Sequence, residues 1–200
     1  MRVRLRDNPT EAELAEMYAV PHDARRYGYG HGLRVAATIE LARYRTQGVR
    51  TIADLSCGNA DVTRGVKRVG LHIILGDFAP GYEYHGPIEQ TITQIPDVDV
   101  FVCSETIEHL EDPDAVLAAI RAKTRCLILS TPIAELPPSG NREHLWGWDQ
   151  DGVAEMLEGA GFNPAAGQRI DLWPPPGQGY CYQIWAASCP SSSPRPSTPT

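Results

Sequence analysis

The sequence predicts an α/β sandwich: a mostly parallel sheet covered by helices on both faces and finished by an antiparallel last strand. Two features of the chain carry this. From residue 51 onward, short apolar runs (TIADL, LHIILGD, VDVFVC, CLILSTP) are separated by segments with helical spacing. Strands that stay apolar along their length are buried on both sides, as in a helix-covered parallel sheet. The final run, GYCYQIWAAS, alternates as a half-buried strand does, which suits an antiparallel edge.

Each element has its own local signal. TEAELAEMY opens with Thr10 and places Glu13 three residues on, the spacing of a capping box. PHDARRYGYGHG breaks that helix with one proline and three glycines, and LRVAATIELARY resumes helical spacing. After the strand TIADL, ADVTRGVKRV reads as helix, LHIILGD as the second strand and VDVFVCS as the third. A helix starts at EDPDA with Pro113 in its first turn, where proline is tolerated. CLILSTP is the next strand, and WDQDGVAEMLEGAGF is a helix capped by Asp149 and closed by glycines. The tail CPSSSPRPSTPT has almost no apolar surface to bury, so residues 189–200 are predicted disordered after one domain over residues 1–188.

Composition narrows the function classes. With 42% hydrophobic and 22% charged residues, the chain reads as an ordinary soluble domain. A net charge of -7 does not suit a large phosphate-binding face. No apolar run approaches the ~18–20 residues of a membrane helix. The start MRVRLRDNPTEAELAE has no apolar core behind its arginines, so no signal peptide is expected and the expected location is the cytoplasm. Cys57, Cys103, Cys126, Cys181 and Cys189 form no CxxC pair, which speaks against a disulfide framework or a cysteine zinc site.

The chemistry-bearing residues gather at strand ends, where open α/β sheets bind ligands. DLSCGNAD follows the first strand as a small-residue turn that lets backbone amides approach a ligand, or that simply turns tightly into a helix. Asp77 ends the second strand, placed either to accept ribose hydroxyls or to cap a turn, with Phe78 beside it for an adenine face. SETIEHLED crowds Glu105, Glu108 and His109 after the third strand. At helical spacing these groups share a face, and adjacent carboxylates repel unless a cation or proton intervenes. His144 follows the fourth strand in NREHLWGWD, in a loop expected beside the one carrying Glu105. Carboxylate with imidazole suits Mg²⁺, Mn²⁺ or Fe²⁺. Arg25 and Arg26 can meet an anion or stay solvated. Trp146 and Trp148 can wall an acceptor site or belong to the core. WPPPGQGY reads as a rigid turn at the pocket rim.

Taken together, TIADLSCGNAD, LGDF and VDVFVCSETIEHL resemble the class I S-adenosylmethionine-dependent methyltransferases over roughly residues 50 to 165. The resemblance implies a Rossmann-like core at 49–188 under an N-terminal helical lid at 1–48, the lid carrying Tyr18, Tyr27, His31 and Arg34. It implies that Asp54, Ser56, Gly58 and Asn59 line the methionine part of the cofactor, that Asp77 and Phe78 hold ribose and adenine, and that Ile88 and Ser104 complete the cofactor set. Ser56 and Ala60 stand where the family has glycines, and an Asp common near GPI (86–88) is absent. The ExxEH set with the later EHLWGW resembles the enzymes that methylate the 2′-hydroxyl of the 3′-terminal ribose of small RNAs. That likeness implies Glu105, Glu108, His109 and His144 as metal ligands. Many small-molecule O-methyltransferases share the Glu-His pair, with the histidine in some members acting as a base or holding a loop. The expected function is a metal-assisted O-methyltransferase using S-adenosylmethionine on a small hydroxylated metabolite, with Glu108, His109 and His144 catalytic. RNA 2′-O-methylation and a non-catalytic cofactor-binding protein are the alternatives.

Overall fold

The computed structural model of the chain describes residues 1–20, 29–137, 141–170 and 181–188. Arg25, Arg26, Tyr27, the whole WPPPGQGY turn and the tail lie outside the described residues. Nine strands and six α-helices are described, in the order β1 (Arg2–Arg4), α1 (Glu11–Met17), α2 (Tyr29–Arg45), β2 (Thr51–Asp54), α3 (Asp61–Gly65), β3 (His72–Asp77), β4 (Tyr84–His85) and α4 (Ile88–Thr91). There follow β5 (Val100–Ser104), a 3₁₀ turn (Ile107–His109), α5 (Pro113–Lys123), β6 (Cys126–Ile133), β7 (Trp146–Trp148), α6 (Gln150–Gly159), β8 (Asn163–Ile170) and β9 (Cys181–Ser188).

Seven strands form one sheet in the order β4-β3-β2-β5-β6-β9-β8. The strands from β4 to β6 pair in parallel, and β9 runs antiparallel to both β6 and β8. The apolar runs are buried on both faces, as their lack of alternation requires. Phe101 and Cys103 of β5, with Leu127 and Leu129 of β6, join one core cluster that includes Leu117 and Ile120 of α5 and Val153 and Leu157 of α6. Val100, Val102 and Ile128 face the other cluster, with Ala42 of α2 and Val62 of α3. The expected caps form: the Thr10 hydroxyl accepts from the Glu13 amide at 3.3 Å, Asp112 from Ala115 at 3.0 Å and Asp149 from Gly152 at 2.8 Å.

Four departures from the sequence reading have physical causes. The last strand is antiparallel but lies inside the sheet; the edge belongs to β8, whose NPAAGQRI has weak strand propensity and a proline that an edge tolerates. The short β1 and β7 pair with each other, Val3 opposite Gly147, and three residues are too few to show a period. α2 begins at Tyr29, because tertiary contacts through His31 and Arg34 outweigh the low helix propensity of Gly30 and Gly32. α3 stops at Gly65, whose carbonyl accepts from the Arg43 guanidinium at 2.9 and 3.1 Å rather than continuing the helix. Among the described residues no helix is long and apolar enough to cross a membrane.

Gly147 lets β7 lie directly against the backbone of Glu135, where an added Cβ would overlap the Glu135 carbonyl oxygen. Gly147→Ala should therefore cost about 1–3 kcal/mol by overpacking. The expected readout is a lower urea midpoint with an unchanged m-value.

Candidate active site

The twelve residues expected to hold the cofactor and the metal all line one cavity of about 770 Å³ at the carboxyl ends of the parallel strands. β2 pairs with β3 on one side and β5 on the other, so the chain reverses its order of strand addition there, where such sheets bind ligands. At the first end of the cavity, the turn after β2 places Gly58 at φ 52° and Ala60 at φ 58°, a left-handed backbone that folds the chain back tightly. The Gly58 amide donates to Asp77 at 2.7 Å, and the Tyr82 hydroxyl donates to the Gly58 carbonyl. The second Asp77 oxygen accepts from the Ala79 amide at 2.9 Å, so the carboxylate is held at the tip of β3 with lone pairs to spare for a ligand. Ser56 stands where the resemblance expects glycine, and its hydroxyl bonds Thr106 at 2.6 Å. That contact ties the two ends of the cavity together.

At the other end, Glu105 adopts φ 53° and its amide donates to the Ser130 carbonyl at 2.8 Å. This turns the chain inward into a 3₁₀ turn, where a helical face had been expected. Glu108 is fully buried. One of its oxygens accepts from Thr131 at 2.9 Å, while the other is buried without a hydrogen bond, 3.8 Å from Nε2 of His109. Nδ1 of His109 lies 3.1 Å from the Glu143 carbonyl, an acceptor that favours a proton on this nitrogen. The imidazole of His144 meets that of His109 edge-on, with ring centroids 4.9 Å apart. Ligand atoms of Glu108, His109 and His144 all lie within 4.8 Å of one another.

Glu105 is not a member of that group. Its carboxylate accepts from the Ser130 hydroxyl at 2.9 Å and lies 3.8 Å from Nε of Arg34, because the left-handed residue aims its side chain back along the sheet. The donor set is thus one carboxylate and two imidazoles, and its orphaned, buried Glu108 oxygen fits a divalent cation. Such a mix suits Mn²⁺ or Fe²⁺ better than Mg²⁺, which prefers oxygen.

The N-terminal segment reaches this cavity through Leu14 and Tyr18. Tyr18 packs on Phe78 at 5.5 Å between centroids, and its hydroxyl lies 3.1 Å from Nδ1 of His109. Arg34 is buried in the cavity wall, donating to Ser104 at 2.6 Å and facing Nε2 of His31 at 2.8 Å. Neither tryptophan lines the cavity: Trp148 is core, and Trp146 donates to the Leu110 carbonyl at 2.9 Å beneath the guanidinium of Arg2, 4.0 Å from its ring. Sequence reasoning missed Glu135, Asn141 and Tyr182. A lone Glu or Asn in a loop carries no spacing signal, and Tyr182 reads as one more strand aromatic.

Burial pushes the Asp54 carboxyl up to about 8, reinforced by the charge of Asp77 and opposed by the Ser56 amide. Burial, and then the charge of Glu105, also hold Glu108 well above the usual carboxylate range. Burial opposes charge on His144, yet its bond to Glu135 and the nearby carboxylates raise it; the Asn141 amide facing Nε2 favours the neutral ring.

The sign of the resulting pH dependence is fixed. A buried Asp54 keeps its proton up to about pH 8, whereas the unfolded chain loses it in the ordinary carboxylate range. The folded state binds more protons in that window, so stability falls with rising pH by about 1.4 kcal/mol per pH unit per proton. Asp54→Asn, whose amide imitates the protonated carboxyl, should flatten the fall in melting temperature between pH 5 and 8. An unchanged slope would mean that Asp54 is ionised in the fold.

No family model and no curated protein match this chain. Solved structures do. The 1,6-didemethyltoxoflavin-N1-methyltransferase of Burkholderia thailandensis, with bound S-adenosylhomocysteine, aligns over 78% of this chain and 78% of its own, with TM-score 0.64 and 16% identity. The magnesium protoporphyrin IX methyltransferase of Synechocystis PCC 6803 aligns over 80% of this chain and 84% of its own, with TM-score 0.61 and 16% identity. The small RNA methyltransferase HEN1 aligns over 80% of this chain, with TM-score 0.63 and 20% identity, the match spanning only 26% of that larger protein. At these identities the likeness is one of fold: the chain has the Rossmann-like fold of the class I S-adenosylmethionine-dependent methyltransferases.

Proposed function

We propose that the protein is an S-adenosylmethionine-dependent O-methyltransferase, metal-assisted, that acts on a hydroxyl of a small metabolite. One observation carries this reading. A single cavity holds the glycine turn and Asp77 at one end and the Glu108, His109 and His144 cluster at the other. S-adenosylmethionine, when bound, would supply an electrophilic methyl group, and a divalent ion held by those three side chains would supply the Lewis acidity that lowers a hydroxyl's pKa.

The chain's own residues do the rest. Asp77 accepts the ribose hydroxyls, Phe78 and Ile88 flank the adenine, and Asp54, Ser56, Gly58 and Asn59 surround the methionine part. Ser104 and Arg34 close the wall between the two ends. Nε2 of His109 is aimed to take up a proton where no cation stands. Burial raises the Tyr18 hydroxyl far above its ordinary pKa, so Tyr18 remains neutral and serves to shut water out between Phe78 and His109.

Methylation of an RNA 3′-terminal ribose is the second reading, favoured by the ExxEH order with the later histidine and by the shared fold with HEN1. The described cavity lining counts against it. Asp61, Glu89, Glu111, Asp112 and Glu143 stand in that lining, and its described residues include only Arg34 as a basic side chain besides histidine. Phosphates passing such a rim are repelled, whereas a neutral or cationic metabolite is not.

Transfer from radiolabelled donor to a panel of hydroxylated small molecules, beside a short RNA with a free 3′ end, tests this function. Label should enter a small molecule, and His109→Ala should lower kcat by about 10²–10⁴-fold; label in the RNA alone would establish the second reading. In calorimetry the protein should take up Mn²⁺, and Glu108→Gln or His144→Ala should abolish it. Uptake should tighten with rising pH, because Glu108 must give up a proton that its burial retains. A wild type that takes up no Mn²⁺ would remove the metal from the mechanism.

A further inference from the structure

Glu135, in the loop after β6, belongs to no motif, yet the backbone is strained to aim it. Ala134, just before it, adopts φ 59°, a left-handed conformation costly for a residue with a Cβ, and is pinned there by the hydrogen bond its amide donates to the Trp148 carbonyl at 2.7 Å. The strain turns the Glu135 side chain inward, where it is buried, and its carboxylate stands 2.5 Å from Nδ1 of His144.

The hydrogen bonds around His144 settle which nitrogen carries the proton. Oδ1 of Asn141 accepts from the Glu143 amide at 2.9 Å, so the Asn141 NH₂ must be the group 2.8 Å from Nε2 of His144. An NH₂ only donates, so Nε2 is the acceptor and the ring proton is on Nδ1, facing Glu135. Arg6 holds the same loop through the carbonyls of Asn141 and His144. His109 has a similar arrangement, with the Glu143 carbonyl favouring a proton on its Nδ1.

We propose that Glu135 is a positioning residue that fixes His144 as the Nδ1-protonated tautomer, so that Nε2, held here by the Asn141 amide, is the nitrogen left to exchange that amide for a cation beside Glu108 and His109. The proposal rests on the metal-cluster reading above and adds the group that orients one of its imidazoles. A carboxylate behind a ligating histidine restrains the ring and raises its basicity, and loss of such a partner typically costs 10–100-fold in metal affinity.

The test pairs Mn²⁺ titration with ¹⁵N spectra of the histidine side chains, on full-length wild type, Glu135→Gln and Glu135→Ala. Glu135→Gln, whose amide oxygen still accepts from Nδ1, should bind Mn²⁺ close to wild type and melt at a similar temperature. Glu135→Ala should bind about 10–100-fold more weakly. Equal affinity in wild type and Glu135→Ala overturns the proposal, as does a Glu135→Gln loss as large as that of alanine, which would assign the effect to charge alone. The spectra stand apart from the metal. His144 in metal-free wild type should be protonated at Nδ1, and Glu135→Ala should shift the proton toward Nε2. Wild-type His144 protonated at Nε2 overturns the proposal even if no variant folds. Failure of wild type to bind Mn²⁺, with the Nδ1 proton in place and lost in Glu135→Ala, overturns the metal reading and upholds Glu135 as the orienting group.

Discussion

A carboxylate buried with one oxygen unpartnered is the constraint around which the cavity is arranged. Burying an uncompensated charge costs several kcal/mol, and a protein tolerates it only where the group is protonated or meets a cation. Glu108 is in that position, with Thr131 on one oxygen and nothing hydrogen-bonded to the other. Holding it there takes backbone that is itself costly. Glu105 at φ 53°, Ala134 at φ 59° and Ala60 at φ 58° are the non-glycine residues with positive φ among those described, and they occupy the loops after β5, β6 and β2. All three lie at the carboxyl ends of neighbouring parallel strands. Strain placed on one rim, with an orphaned carboxylate at its centre, is how a binding site differs from a well-packed loop cluster.

The N-terminal strand explains why the arrangement does not relax. The Leu5 amide donates to the Leu145 carbonyl at 2.8 Å, and the Leu145 amide donates to the carbonyl of Glu108 at 2.6 Å. Arg6 reaches the same loop from the other side. The segment with His144 is thus sewn at once to the chain's first residues and to the turn bearing Glu108 and His109. Rigid second-level support of this kind holds reacting groups within a fraction of an ångström. The cofactor end is coupled to it through the Ser56–Thr106 hydrogen bond and through Tyr18, wedged between Phe78 and His109.

The parallel strands were legible because each is a continuous apolar run, and three helices carry their own caps at Thr10, Asp112 and Asp149; the place of the last strand inside the sheet was not legible. The strands that escaped were those without a period: β4 has two residues, β1 and β7 have three each, and β8 is an edge that contains Asn, Pro, Ala and Gly. At the site, the pattern ExxEH brought Glu108 and His109 to notice, and the loop after β6 supplied His144. Placing Glu105 on the same helical face misjudged the turn. Spacing assumes a helix, whereas a left-handed residue followed by a 3₁₀ turn sends Glu105 to Ser130 and Arg34. Glu135 and Asn141 could not be read at all, because their partners are side chains fixed only by the finished fold.

Charge is what the shared fold leaves free to vary, and it bears on the acceptor. A divalent ion on the proposed cluster would neutralise the buried Glu108, and Arg34 already faces Glu105. Neither reaches the acids nearer solvent. Glu89, Glu111 and Asp112 are exposed, so their field is screened over about a Debye length of 8–10 Å at physiological salt. All three of these acids stand in the lining of the cavity, so a ligand entering it passes within that distance of them. A polyanion that comes within that distance is repelled before any base or sugar can reach the cluster, and counterion release, the usual driving force for nucleic-acid binding, has no described basic rim to act through. A small neutral molecule with adjacent oxygens pays neither penalty, and its oxygens are the groups that a carboxylate–imidazole cluster with a bound cation can hold in line with a methyl donor.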